Sequence, residues 1–373
     1  MKNFNFSKSC FFILLFSVFI LCAAMLKIAG SFFLPITVAV FIAFIFYPFV
    51  KFLNKIHIPW VLSVITVVLF AIAIFAVLGN IIGASLRTIL NSYPKYEERL
   101  TELYMIFVNT FEIPFNHNDS LATNLWSISA IRNTVQTMAV SLSNFMIKSA
   151  KTIVTIGLLA VFLLLEMTSF HNKVNVAFSR NQMNNKIIRI VSNIMREVTR
   201  YISIKFSVSL FTGILVFLAT YVIGMDFCII WAFLAFILNF IPNFGSIISW
   251  ILTLVFATLQ FYPDWSSIIY VGIVVIAINM ILGSIIEPRW EGSDLNISPF
   301  IILVGLSFWG WMWGFTGMIL SVPIMVIIKI ICENIEFLNP IAVLIGGNPK
   351  RAAETEKRPE NSTENNGEPG SEK

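Results

Sequence analysis

Two apolar runs in the C-terminal half are too long for one membrane crossing and too interrupted for one straight helix. Residues 227–261 carry Pro242-Asn243-Phe244-Gly245 at their middle, and residues 298–331 carry Gly310, Gly314 and Gly317 at theirs. A single crossing takes about 20 residues. Lipid supplies no hydrogen-bond partner, so loosened backbone survives at membrane depth only inside protein or beside a water-filled cavity. Each half, with roughly 15 residues, falls short of a full crossing. A hairpin of two half-length helices is therefore expected for each run, with one kinked span as the alternative. Interrupted helices of this kind line solute routes in transporters.

Six further apolar runs lie at about 10–29, 31–50, 59–83, 152–169, 204–224 and 266–286. The chain of 373 residues is 57% hydrophobic and 12% charged, half the charged share of an ordinary soluble domain. The fold class that follows is an all-α polytopic membrane protein. It should have about six full spans, two broken or re-entrant helical hairpins, and amphipathic helices at the interface. The net charge of +5 does not point to nucleic acid, because the basic residues sit in short blocks between apolar runs, as membrane topology requires. Lys2 and Lys8 precede a run too long for a signal-peptide core, which reads instead as the first span.

The basic blocks set the expected orientation. Residues 51–58 carry Lys51 and Lys55, and residues 170–205 carry seven basic residues against Glu197 alone. Residues 84–151 are close to neutral, with six basic and five acidic residues. A cytoplasmic N-terminus puts every strongly basic block inside, and two C-terminal hairpins then put the C-terminus inside as well.

Between the spans lie amphipathic stripes. Leu86, Ile89, Tyr93, Tyr96, Leu100, Leu103 and Phe107 recur at helical spacing, as do Ile128, Ile131, Val135, Met138, Leu142 and Phe145. A third stripe runs through Ile187, Val191, Ile194, Val198 and Tyr201. Such helices lie flat on the bilayer, or serve as subunit contacts or levers. The expected organisation is transmembrane helices 1–3 over 1–83 and an extramembrane helical insert over 84–151. A fourth span with a basic cytoplasmic helix covers 152–203, a transport core covers 204–335, and a polar disordered tail covers 336–373.

No HExxH, GxSxG, P-loop or GxGxxG pattern occurs, so enzymatic chemistry is not expected. The four cysteines and three histidines are scattered, and neither a metal nor any other cofactor is expected. Ionisable residues near membrane depth are costly and mark candidate sites. Glu287 ends a long apolar run, Pro288 fixes the turn after it, and Arg289 is placed to screen it. The carboxylate there could hold a cation, take a proton or lock a gate, or simply end a helix at the interface. Glu166 closes the fourth span as an interfacial cap or a second proton site. Asn239, Asn243 and Ser246 flank the Pro242–Gly245 break and could satisfy the carbonyls that Pro242 frees. Asp226 reads as a helix N-cap before Phe227. Lys329 and Glu333 are spaced to pair on a helix surface, and Gly79-x-x-x-Gly83 and Gly310-x-x-x-Gly314 to admit close helix approach.

The order of these blocks is distinctive: LNFIPNFGSIIS at Leu238–Ser249, IEPRWEG at Ile286–Gly292, Pro299, then FWGWMWGFTGMILSVP at Phe308–Pro323. The arrangement resembles the autoinducer-2 exporter family of bacterial permeases, most sharply over 204–331. The resemblance implies a multi-pass permease of the bacterial cytoplasmic membrane. Some family members are linked to export of the signal autoinducer-2, others to sodium/proton antiport. Many members carry an acidic residue just before the Ile-Pro pair. Phe240 stands there in this chain, which fits the exporter-like members better. The expected function is gradient-driven export of a small polar solute, autoinducer-2 or a related metabolite. A sodium (lithium)/proton antiporter and a non-transporting scaffold are the alternatives. Path or gating candidates are Asn239, Pro242, Asn243, Gly245, Ser246, Glu287, Arg289, Gly310, Gly314 and Gly317, with Glu287 and Glu166 as possible ion or proton sites. The expected partners are the solute, the bilayer and further copies of the chain.

Overall fold

The computed structural model describes residues 6–110, 152–169, 173, 184–291 and 297–347. The second amphipathic stripe and the tail beyond 347 lie outside these residues. Described helices are α1 (Phe6–Ile28), α2 (Gly30–Lys55), α3 (Trp60–Thr110), α4 (Thr152–Ser169) and α5 (Asn184–Val222). They continue with α6 (Cys228–Leu238), α7 (Phe244–Phe261), α8 (Trp265–Asn279), α9 (Glu287–Glu291), α10 (Pro299–Asn334) and α11 (Asn339–Ile345). Among the described residues, 7 helices are long and apolar enough to cross a membrane. The all-α membrane fold read from the sequence is the fold observed.

The burial pattern is that of a lipid-solvated protein. Phe70, Phe75, Leu69 and Val154 are largely exposed, whereas Ser63, Ser209, Thr212, Thr220, Thr253 and Ser321 are buried. An apolar exterior satisfies lipid, and the buried hydroxyls need partners because none is available there. Thr212, Thr220 and Thr253 donate to the carbonyls of Val208, Val216 and Ser249, one turn back.

The chain forms two compact units. The first holds residues 1–172 and 199–291, the second 173–198 and 292–373. In the first, α2, α3 and α4 share a core of Ala43, Val50, Val64, Val67 and Leu164. The Trp60 indole donates to the Leu164 carbonyl at 2.9 Å, which ties α3 to α4. Helix α3 runs without interruption through residue 83. Its 51 residues span about 75 Å at 1.5 Å per residue, and Trp60–Ser85 is the part suited to lipid. The remainder is an overhang carrying the first amphipathic stripe.

That overhang is anchored at the junction of α5 and α6. The Tyr96 hydroxyl donates to Asp226 Oδ2, and Lys95 Nζ lies 3.2 Å from the same oxygen. The Tyr96 ring packs against Phe227 and Phe256. Burial and the neighbouring Asp226 carboxylate push the Tyr96 phenol well above its ordinary pKa, so it remains a donor at physiological pH. Asp226 therefore does not cap the next helix. Phe227 occupies the N-cap position of α6 in a left-handed conformation, φ 59°, and turns the acid toward α3. The distal ends of α3 and α5 consequently lie on one side.

Residues 228–261 form the hairpin expected of them. At its open end Gln260 Oε1 accepts from the Asp226 amide at 2.8 Å, and Gln260 Nε2 donates to the Gly224 carbonyl. Farther in, Trp231 packs on Phe256, and at the tip Gly245 meets Leu238. These pairings advance along one arm as they retreat along the other, so α6 and α7 are antiparallel. Asp264 caps α8, accepting from the Ser266 amide and from the hydroxyls of Ser266 and Ser267. Those bonds hold its carboxyl below the usual carboxylate range. The cap's contribution is thus complete at neutral pH and is lost only as acid titrates the folded state. Asp264→Ala should lower the melting temperature at neutral pH. The deficit should shrink as the pH falls below about 3.9, the unfolded aspartate value, in a melting series across pH.

The second unit contains the other broken run. Helix α10 departs from helical geometry at Trp313 (φ −126°, ψ 16°) and Gly314 (φ 62°, ψ −143°). Gly305 lies against Met325, Gly310 against Met318, and Gly317 against the Trp309 carbonyl. The order is again antiparallel, so this run too is a hairpin. An antiparallel bridge between Ile297 and Gly346 joins its base to the end of α11. Lys329 and Glu333 pair at 3.2 Å, but not on the surface as expected: the Lys329 side chain is only 9% exposed. Gly79 and Gly83 have no described atom within 4 Å of a built Cβ, so close helix approach is seen at Gly310 and not at that pair.

Candidate functional site

The tip of the α6–α7 hairpin is built by its backbone. The Ile241 amide donates to the Leu238 carbonyl at 2.9 Å, and the Gly245 amide to the Ile241 carbonyl at 3.2 Å. Asn243 takes φ 62°, a region open to few residues other than Gly, Asn and Asp. A Cβ on Gly245 would stand 1.7 Å from the Leu238 carbonyl oxygen, so the arms meet there backbone to backbone.

Three polar links between elements surround this tip. Asn239 Nδ2 donates to Ser209 Oγ on α5 at 3.0 Å, with both residues buried. Asn279 Nδ2, at the end of α8, donates to the Ser246 carbonyl at 3.4 Å. Lys205 Nζ on α5 lies 2.5 Å from Glu287 Oε1, and the two side chains are only 6% and 14% exposed. Lys205 and Ser209 are one turn apart on α5, about 6 Å along its axis. The ion pair thus sits one helical step from the tip.

The chain between Asn279 and Glu287 explains how both reach α5. Residues Met280–Ile286 form a π-helix, a rare widening that concentrates at functional sites. It re-aims the face presented by the following turn, and Glu287 starts α9 directly after it. The buried face of α5 continues the polar line through Lys205, Ser209 and Thr212, at steps of four and three. Val222 ends α5, 13 residues beyond Ser209, so the tip lies about 20 Å in from that end, within the thickness of a hydrocarbon core.

Of the residues singled out from the sequence, Asn239, Pro242, Asn243, Gly245, Ser246 and Glu287 belong to this one region. Arg289 does not screen Glu287; it lies exposed in α9, and Lys205 is the partner. Glu166 is exposed on α4. Gly310, Gly314 and Gly317 shape the hairpin of the second unit. The carbonyls near the break find partners in the backbone and in Asn279, while Asn239 reaches across to Ser209. Sequence reasoning missed Lys205, Ser209 and Glu291. The signal available was the four- and three-residue spacing of Lys205, Ser209 and Thr212 inside an apolar run.

A carboxylate and an ammonium are thus withdrawn together from water beside a broken helix. Buried pairs of this kind stabilise a fold little more than apolar packing would, and removing one partner is costly. The model of the AI-2E family transporter matches residues 12–337 of this chain. The chain belongs to the AI-2E transporter family. Within the comparisons, a protein of Borreliella burgdorferi named "Putative transport protein" is 32% identical over 86% of each chain. One of the same name from Haemophilus influenzae is 31% identical over 88% of this chain and 93% of its own. The AI-2 transport protein TqsA of Escherichia coli is 27% identical over 88% and 92%. This AI-2E family chain is accordingly a multi-pass membrane transport protein and not an enzyme, and its match extends across both hairpins.

Proposed function

We propose that this chain exports a small polar solute, autoinducer-2 or a related metabolite, across the bacterial cytoplasmic membrane, driven by a gradient. The carrying observation is the buried Lys205–Glu287 pair one turn from the hairpin tip. Pair and tip form the gate: parting the pair frees α9 from α5, and the Asn239–Ser209 and Asn279–Ser246 links then release the tip. The name of the TqsA relative supplies the solute class. The contact of Tyr96 with Asp226 supports cytoplasmic termini. With the distal ends of α3 and α5 on one side, their starts face the other; the basic block at 51–58 precedes the start of α3, and the block at 170–205 spans the start of α5.

The test is flux in proteoliposomes holding the purified chain and no other protein. Efflux of autoinducer-2 above the rate of empty liposomes is expected. Sodium-driven proton movement without autoinducer-2 flux would establish the antiporter instead. Silence in both assays would leave a scaffold.

A further inference from the structure

Helices α8 and α9 are joined by a stretch that holds one residue more than a regular helix would need. Its backbone bonds span five residues: the Glu287 amide donates to the Leu282 carbonyl, where an α-helix would use Gly283. Such a turn acts as a one-residue insertion. Every side chain after it sits about 100° behind, and about 1.5 Å short of, its place in a continuous α-helix. That offset brings Glu287 onto Lys205. It also brings the Trp290 ring onto Phe211 of α5, with ring centres 6.3 Å apart.

Two residues free this stretch to change register. A Cβ on Gly283 would meet no described atom within 4 Å, so this glycine serves backbone freedom rather than packing. Pro288 has no amide to bond in either register. Each remaining amide would only move to the neighbouring carbonyl, so the number of bonds is kept. Helix α9 has 5 residues, and a shift carries only that short segment with it. In α-geometry each residue would take the place now held by the next one. Ile286 would stand where Glu287 is. Glu287 would stand where Pro288 is, an exposed position where its carboxylate can be hydrated.

Deepening the permease reading and resting on it, we propose that Met280–Ile286 is the hinge of the gate and Gly283 its positioning residue. A shift of one residue, from π- to α-geometry, draws Glu287 off Lys205. Ile286 takes its place, and Trp290 leaves Phe211 in the same movement. The Lys205 ammonium, relieved of Glu287, then donates to oxygen atoms of the passing solute. Asn279 lies directly ahead of the stretch, so its link to the Ser246 carbonyl is the next to loosen.

The experiment deletes Gly283 from the full chain. The remaining residues can close into an α-helix with Glu287 already on Lys205, and no extra residue is left for the shift. The melting temperature should stay near that of the wild type, while autoinducer-2 flux in proteoliposomes should fall about tenfold or more. Deletion of Ile273 is the control. It is exposed in regular α8, but its loss turns the buried Val275 and Asn279 out of place, so the melting temperature should drop. Deletion of Gly283 that melts as low as deletion of Ile273, or that transports at the wild-type rate, overturns the proposal. A second readout needs no solute: fluorine NMR of the fluorotryptophan-labelled chain in micelles, with the Trp290 line assigned through Trp290→Phe. Exchange between registers should split or broaden that line in the wild type, and deletion of Gly283 should leave it single and sharp. The same sharp line in both overturns the hinge. A split line in a chain that moves no autoinducer-2 would sink the export reading and leave the hinge standing.

Discussion

Gly245→Ala is expected to prevent the first hairpin from closing. The added methyl carbon would lie 1.7 Å from the Leu238 carbonyl oxygen and 2.5 Å from its carbon. Both obstacles are backbone, and they belong to the last turn of the opposing arm, so no rotamer change relieves the clash. Overpacking normally costs 1–3 kcal/mol where side chains can move; here about 3 kcal/mol or more is expected. Separation of the arms would strip Asn239 from Ser209 and Asn279 from Ser246, which exposes amides to an apolar surround. Gly317→Ala in the second unit should behave alike, because its methyl would stand 1.9 Å from the Trp309 carbonyl oxygen. Gly79→Ala supplies the contrast: it sits in a continuous helix with no described atom near, where alanine should be neutral or stabilising by up to about 1 kcal/mol. Thermal melts of the three variants in one detergent measure the difference. Equal melting temperatures for Gly245→Ala and Gly79→Ala would refute the close approach.

Both hairpins were legible because their breaks are local. Pro242 removes a donor from a helix wherever it stands, and Gly314 is the residue able to take φ 62° with ψ −143°. The stripe containing Tyr96 was legible for the same reason, since helical spacing is a property of neighbours in sequence. What stayed hidden was the choice of partner. Arg289 is two residues from Glu287, but positions i and i+2 point away from each other on a helix, so sequence proximity misled. Lys205 is 82 positions away, and only packing of α5 against the turn after the π-helix brings it in. Asp226 was misread in the same way. Preceding an apolar helix is a local reason to cap it, but the left-handed turn at Phe227 gives the carboxylate to Tyr96 and Lys95 instead. The π-helix had no sequence signal, because Met280–Ile286 is an apolar stretch like its surroundings.

The Lys205–Glu287 pair separates holding the fold together from working the gate, and a double-mutant cycle can read the two apart. Lys205→Met leaves a carboxylate buried without its cation, and Glu287→Leu leaves the ammonium without its anion. Each single change should destabilise the protein by about 3–5 kcal/mol, since breaking a buried pair costs far more than the pair contributes. The double variant Lys205→Met/Glu287→Leu should recover most of that loss, because apolar side chains of similar size suit a site where the two native side chains are only 6% and 14% exposed. Stability would then return without the switch. Autoinducer-2 flux should fall at least tenfold in the double variant despite its normal melting temperature and normal membrane insertion. Arg289→Met, which removes an exposed charge, should change stability by no more than about 0.5 kcal/mol. A double variant that melts like wild type and still transports at the wild-type rate would reduce Lys205–Glu287 to a packing detail and move the gate elsewhere in the chain.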